Sequence, residues 1–136
     1  MISATVEIQI PFHDCDALEV AWHGHYVKYF EIARCAALAK INYDYPDMKA
    51  SGYAWPIIDL RLRYAQPAVF GQKVNVKATL IEWENRLRFE YLISDAATGK
   101  RLSKGETVQV AVDMRIKEMC YVSPPVLFEK LGLPRP

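Results

Sequence analysis

The sequence predicts an α+β domain in which a curved antiparallel sheet wraps around one long helix, and three observations carry that expectation. Residues 3–10 alternate in character, with Val6, Ile8 and Ile10 on one face, as a half-buried strand requires, and Pro11 ends the run. From about Gly24 to Ile41 the apolar residues Tyr26, Val27, Phe30, Ala33, Ala37, Leu38 and Ile41 recur at spacings of three and four, which lays one stripe along an α-helix. Four strand-like segments follow, at 54–65, 73–83, 86–94 and 101–116, with period-two runs such as Leu60, Leu62, Tyr64 and Val108, Val110, Val112.

The joints between these segments support an antiparallel meander. Pro67 to Gln72 contains Pro and Gly, Glu84-Asn85 suits a tight hairpin, and Asp95 to Gly99 reads as a Gly-ended hairpin loop. The stretch Asn42 to Ser51, with Tyr45-Pro46-Asp47 inside it, reads as an irregular connection, and the tail holds only a short helix around Val126 to Leu131. A sheet of this size has edges, and pairing two copies through an edge strand hides them, so a homodimer or homotetramer is expected.

Composition narrows the function classes. The chain has 136 residues, 51% hydrophobic and 24% charged, which fits one globular domain over residues 1–136. Seventeen Lys and Arg against sixteen Asp and Glu leave a net charge of +1, so no global field favours nucleic acid or an anionic membrane surface. The first residues lack the pattern of a secretory signal, and no run of apolar residues is long enough to span a bilayer. Cys15, Cys35 and Cys120 are scattered and odd in number, so they suggest neither a disulfide framework nor a thiolate zinc site, and a cytoplasmic location is the simplest expectation.

The loop between the first strand and the helix is the most informative part of the chain. His13, Asp14, Asp16, Glu19, His23 and His25 fall in or beside it. Of these, His13, Asp14, Asp16, His23 and His25 resemble a His and carboxylate metal set, but loop carboxylates this close in sequence need not converge, and no metal or other cofactor is expected. Cys15 lies between two aspartates, which raise a thiol pKa, so it is read as packing. Asp14 is read as a structural residue bonding loop backbone, His25 as structural, and Glu31 with Arg34 as an ion pair on the helix surface or an interface.

Phe12-His13-Asp14-Cys15-Asp16, then Trp22-His23-Gly24-His25-Tyr26-Val27, then Tyr29-Phe30-Glu31-Ile32-Ala33-Arg34 resemble the 4-hydroxybenzoyl-CoA thioesterase family and its bacterial acyl-CoA thioesterase relatives. The likeness lies in a D-x-D pair, a His seven residues after the second Asp, a Tyr three further on and an E-x-x-R in the helix. Gln66-Pro67-Ala68 and Phe70-Gly71 extend it over most of the chain. The resemblance implies a hotdog fold and hydrolysis of an acyl or aroyl thioester carried on CoA or on acyl carrier protein, at sites between subunits.

It also implies that Asp16 is the catalytic carboxylate, either as nucleophile or as general base toward water, and that the backbone N–H of His23 holds the carbonyl oxygen. The physics of a helix start agrees, because its first N–H groups lack internal partners and carry the positive end of the dipole. By the same resemblance Arg86 and Arg88 fall near the place where basic side chains hold the CoA nucleotide. Trp22, Tyr26 and Trp55 are candidates for substrate binding, and Trp55-Pro56 is expected beside the helix, where it can line an acyl pocket. Relatives commonly have Gly where this chain has Glu19, and often at Leu18, so the turn here is made with ordinary residues and Glu19 is a candidate for narrowing the pocket. Two other readings share the fold. One is a binding protein that holds an acyl thioester without cleaving it, and the other is a 3-hydroxyacyl-thioester dehydratase.

Overall fold

The computed structural model describes residues 2–134. The chain runs β1 (Ser3–Gln9), α1 (Tyr26–Ala39), α2 (Tyr45–Ala50), β2 (Tyr53–Ala54), β3 (Ile57–Tyr64), β4 (Lys73–Glu82), β5 (Leu87–Asp95), β6 (Arg101–Gln109), β7 (Val112–Asp113), β8 (Glu118–Met119) and α3 (Pro125–Leu131). Five strands make one antiparallel sheet in the order β1-β4-β5-β6-β3, and β2-β7-β8 form a small second sheet.

The inner face follows from strict alternation. Val74, Val76, Ala78 and Leu80 of β4, and Leu87, Phe89, Tyr91 and Ile93 of β5, are buried, while their neighbours point outward. Tyr26, Tyr29, Phe30, Ala33, Ala37 and Leu38 form the buried stripe of α1 that faces them. Phe30 stacks on Tyr91 at 4.4 Å between ring centroids. Gly105 of β6 makes this approach possible, since a Cβ there would lie 2.4 Å from the Phe30 ring. The α+β expectation of a sheet curved around one helix is met.

Three expectations about the elements need correction. The four later strands are not a simple meander: β4, β5 and β6 are, but β3 pairs with β6 at the far edge. The reason lies in the 66–72 connection, where Ile10 N–H donates to Gln72 O and Gly71 N–H to Ile10 O, fixing the start of β4 beside the end of β1. Second, residues 45–50 are helical. Asp44 accepts from Tyr45 N–H at 2.7 Å and Asp47 returns the bond from Asp44 N–H, a capping box, and Pro46 sits in the first turn where its missing N–H costs nothing. Third, the last long segment breaks at Val110-Ala111, and Val112 onward joins the second sheet.

The two edges of the main sheet differ in what they expose. On β3, Ile57, Ile58, Leu60 and Tyr64 are exposed apolar side chains along an edge strand that pairs on one side only, with β6. No helix among the described residues is long and apolar enough to cross a membrane.

Candidate active site

Pro11 releases the chain from β1, and Phe12–Asp14 makes a single 3-10 turn. Cys15 then bridges to Ala21 and Val20 to Val69, so residues 15–21 form a narrow hairpin loop tied to the segment before β4. Inside it, Asp16 N–H donates to Val20 O and Glu19 N–H donates to Asp16 O, both at 3.0 Å. The carboxylate of Asp16 accepts the Leu18 N–H through Oδ1 at 2.8 Å, an Asx turn that orients the side chain. Its Oδ2 takes no hydrogen bond from the described residues, and Asp16 is exposed. The turn closes on Glu19 in the left-handed region, φ 60°, the conformation that glycine adopts without strain.

Asp14 is the anchor of the loop. It is 2% exposed, and its carboxylate accepts from Lys28 Nζ through both oxygens at 2.7 Å and from the Tyr29 hydroxyl at 2.7 Å. Its bonding is thus through side chains of α1, where the sequence suggested loop backbone. Burial pushes the Asp14 carboxyl up, but the bonds from Lys28 and Tyr29 and the charges of Lys28 and His25 outweigh it and hold it below the ordinary carboxylate range. Burial, followed by the bond to Asp14, pushes the Tyr29 hydroxyl far up. Cys15 donates to Pro11 O, and burial with the charges of Asp14, Asp16 and Glu19 raises its thiol pKa, which keeps it protonated.

The helix start is held from three sides. Trp22 N–H donates to Asp14 O at 2.8 Å, Ala21 N–H to Ala68 O at 2.8 Å, and the Tyr64 hydroxyl to His23 O at 2.7 Å. His23–His25 forms a 3-10 turn that runs into α1. The N–H groups of His23 and Gly24 open that turn, and neither donates to a loop or side-chain acceptor among the described residues. The Trp22 indole covers Gly24, where a Cβ would meet the ring at 2.1 Å, and it lies 4.8 Å from the His23 ring. Trp22 is exposed. Tyr26 is buried, and its hydroxyl accepts the Ala68 N–H at 3.1 Å, so it locks the loop to the core.

At the other end of β3 lies a cavity of about 870 Å³ lined by α1, α2, Trp55-Pro56, the start of β3 and Gln109. Trp55 is buried there, its indole N–H donating to the Tyr43 hydroxyl at 3.2 Å. The same end carries Arg88, which is held bidentate by Glu106 at 2.5 and 2.9 Å, and Arg86, held by Glu82 at 3.0 Å. Both arginines are therefore already in ion pairs.

Asp16, His23, Trp22 and Glu19 share the loop and helix start near Tyr64. Trp55, Arg86 and Arg88 lie toward the Ile57 end of the sheet, Trp55 on the helix side and Arg88 on the outer face. Seven residue steps of β3, roughly 23 Å at about 3.3 Å each, separate the two groups in one chain.

Sequence reasoning missed one residue of the site region. Arg34 is not in an ion pair with Glu31 among the described residues; it is 7% exposed, lines the cavity, and donates to the Tyr91 hydroxyl at 3.2 Å. Its i, i+3 and i+4 relation to Phe30, Ala37 and Leu38 was the available signal, since it puts Arg34 on the stripe. His13 and His25 lie 3.8 and 3.9 Å from Asp14 and support the anchor. Among the described residues no three His, Cys, Asp or Glu side chains group to hold a metal ion.

Residues 10–130 match the family model of the thioesterase-like superfamily. A provisionally named esterase of Synechocystis, sll0410, is 30% identical over 127 residues, covering 93% of this chain and 76% of that protein. The structure of a DHNA-CoA thioesterase from Staphylococcus aureus is similar with a TM-score of 0.85 at 26% identity, over 97% of this chain and 90% of that one. A variant of 4-hydroxybenzoyl-CoA thioesterase, complexed with 4-hydroxybenzoyl-CoA, shares the hotdog fold with a TM-score of 0.81 at 15% identity, over 96% of this chain and 99% of that one.

Proposed function

The chain belongs to the thioesterase-like superfamily and is a thioester hydrolase, and from that premise we propose that it cleaves acyl or aroyl thioesters of CoA or acyl carrier protein with Asp16 as the reacting carboxylate. The observation that carries this reading is the pairing of an oriented, open carboxylate with an unsatisfied helix-start amide in one loop. Asp16 is aimed by the Leu18 N–H yet leaves Oδ2 free, and the His23 N–H opens a turn whose carbonyl is fixed by Tyr64. In the reaction the thioester carbonyl oxygen, gaining negative charge, is held by the His23 N–H while Oδ2 of Asp16 attacks the carbon or takes a proton from the attacking water. Loss of thiolate then gives the free acid directly where water attacked, or a mixed anhydride with Asp16 that a water molecule hydrolyses to the free acid and the restored carboxylate.

The distance along β3 supports a composite site. When two copies pair their β3 edges antiparallel with full overlap, Ile57 of one chain falls opposite Tyr64 of its partner. The cavity, Trp55 and the Arg86–Arg88 region of one protomer then stand beside Asp16 and His23 of the other, and the exposed Ile57, Ile58 and Leu60 are covered. On this reading Trp22 and Glu19 rim the carbonyl site, Trp55 lines the acyl pocket, and Arg86 and Arg88 face the carrier's phosphates. The dimer is therefore the working unit, alone or within a tetramer.

The left-handed turn at Glu19 bears on the binding-only alternative. Its sequence support was the loss of a glycine at that position, and Glu19 adopts the glycine conformation. A panel of acyl- and aroyl-CoA substrates read by free-thiol release tests hydrolysis. The composite site is tested by mixing Asp16→Asn protomers with protomers whose pocket is filled by an Ala54→Trp substitution: restored activity in the mixture supports it, and additive inactivity sinks it.

A further inference from the structure

The outer face of the main sheet, turned away from α1, carries a hollow of about 660 Å³. Five of the seventeen Lys and Arg side chains line it, Arg61, Arg63, Lys77, Arg101 and Lys104, against two acids, Glu90 and Glu106. Strand register explains the crowding. Lys77 pairs with Leu92, Leu92 with Lys104 and Lys104 with Arg63, so three cations stand in one rank across four strands with a leucine among them. Glu106 is engaged by Arg88, and Arg61 has Asp59 at 3.5 Å. Arg63, Lys77, Arg101 and Lys104 are exposed, and none has a carboxylate within 4.0 Å among the described residues.

On a chain of net charge +1, such a rank makes a local positive field, strongest for an anionic partner that touches all three cations at once. Three strand spacings of about 4.8 Å put the Lys77 and Arg63 positions about 14 Å apart, wider than one phosphate group and matched to carboxylates spread over a protein surface. A nucleotide finds no stacking platform there, because Tyr91, the one aromatic residue of the lining, turns its ring inward onto Phe30. The place of the rank matters as well. Arg63 adjoins Tyr64, whose hydroxyl donates to His23 O, so a partner seated on the rank stands beside the helix start. We propose that this face docks the acidic surface of an acyl carrier protein, with Arg63, Lys104 and Lys77 as its contacts. This rests on the thioester hydrolase reading, since the carrier brings its thioester to Asp16.

The test loads one acyl group, chosen from the CoA panel, on CoA and on an acidic bacterial acyl carrier protein. Arg63→Glu with Lys104→Glu should lower kcat/KM for the carrier-protein thioester at least about tenfold at low salt and leave that for the CoA thioester within about threefold. Wild-type kcat/KM for the carrier-protein thioester should itself fall steeply between about 0.02 and 0.3 M salt. The charge-keeping pair Arg63→Lys with Lys104→Arg should behave as wild type, and Tm should hold in both variants because these side chains are exposed. An equal loss on both thioesters would give the rank to the phosphates of CoA, and no loss on either would leave it a solvated face. A changed sedimentation coefficient in the reversed variant would make it a contact between copies of this chain. Each of these results overturns the proposal, as does a wild type that cleaves the CoA thioester and spares the carrier's. If no thioester releases thiol, the hydrolase reading fails separately. Calorimetry with the carrier protein bearing its free pantetheine arm then decides the inference by itself: binding weakened at least about tenfold by the charge reversal upholds it, and equal or absent binding ends it.

Discussion

Replacing Asp14 with Asn removes the charge at the buried anchor of the catalytic loop while keeping the side chain's shape. Two consequences follow from the bonds it makes. Lys28 loses its carboxylate, but its side chain is 46% exposed and rehydrates, so that part is worth about 1 kcal/mol or less. Tyr29 is 1% exposed, and its hydroxyl and the Lys28 ammonium now compete for one amide oxygen; leaving a buried donor unpaired costs about 1–3 kcal/mol. The sum, about 1–4 kcal/mol, corresponds in a domain of this size to a fall in Tm of roughly 4–15 °C. The sign with pH follows from the lowered pKa of Asp14. Its stabilisation is fully present above the unfolded value and is lost as pH falls through the folded one, so the gap between wild type and Asp14→Asn should be level from neutral pH to about 5 and close as pH falls below the ordinary carboxylate range. Thermal or urea unfolding at several pH values measures it, and Tyr29→Phe in both backgrounds isolates the hydroxyl. A Tm within about 2 °C of wild type, or a gap that persists unchanged to pH 3, would refute the reasoning.

Other residues give further checks. Gly105→Ala places a Cβ 2.4 Å from Phe30 and 2.8 Å from Arg61 O, and unfolding should show a loss of about 1–3 kcal/mol. Gly24→Ala pushes the exposed Trp22 indole aside, so turnover should fall at least tenfold with little change in Tm; an unchanged kcat would remove Trp22 from the site. Glu19→Gly relieves the left-handed strain at some entropic cost, so the unfolding free energy should rise or hold within about 1 kcal/mol, and a clear drop would show that the carboxylate itself stabilises the turn. Burial, followed by Asp44, pushes the Cys35 thiol up to about 11, so alkylation at pH 8 should be slow and accelerate as pH approaches that value.

What the sequence revealed and what it hid divide along a physical line. The inner faces of β4 and β5 were legible because alternate burial imposes a period of two on Val74, Val76, Ala78 and Leu80 and on Leu87, Phe89, Tyr91 and Ile93. The α1 stripe was legible for the same reason at 3.6. The turn at Glu19 was flagged by residue type, and its φ of 60° accounts for the flag. Partners distant in sequence leave no such period. Nothing local tells that β3 crosses to pair with β6, that Tyr64 reaches His23 across 41 residues, or that Tyr26 receives the Ala68 N–H. The i, i+3 spacing of Glu31 and Arg34 suggests an ion pair on the helix surface or at an interface, whereas Arg34 lies on the buried face of α1. The α2 helix is legible in the spacing of Asp44 and Asp47, but Pro46 reads locally as a breaker and masks it.

Everything proposed about the chemistry turns on the free oxygen of Asp16. Asp16→Asn keeps the side chain's size and its acceptor toward the Leu18 N–H, so the loop should stay folded and Tm should move little. With the best CoA thioester from the panel, kcat should drop by about a hundred- to ten-thousandfold while substrate binding persists. Turnover within a few-fold of wild type in that well-folded variant would contradict the account.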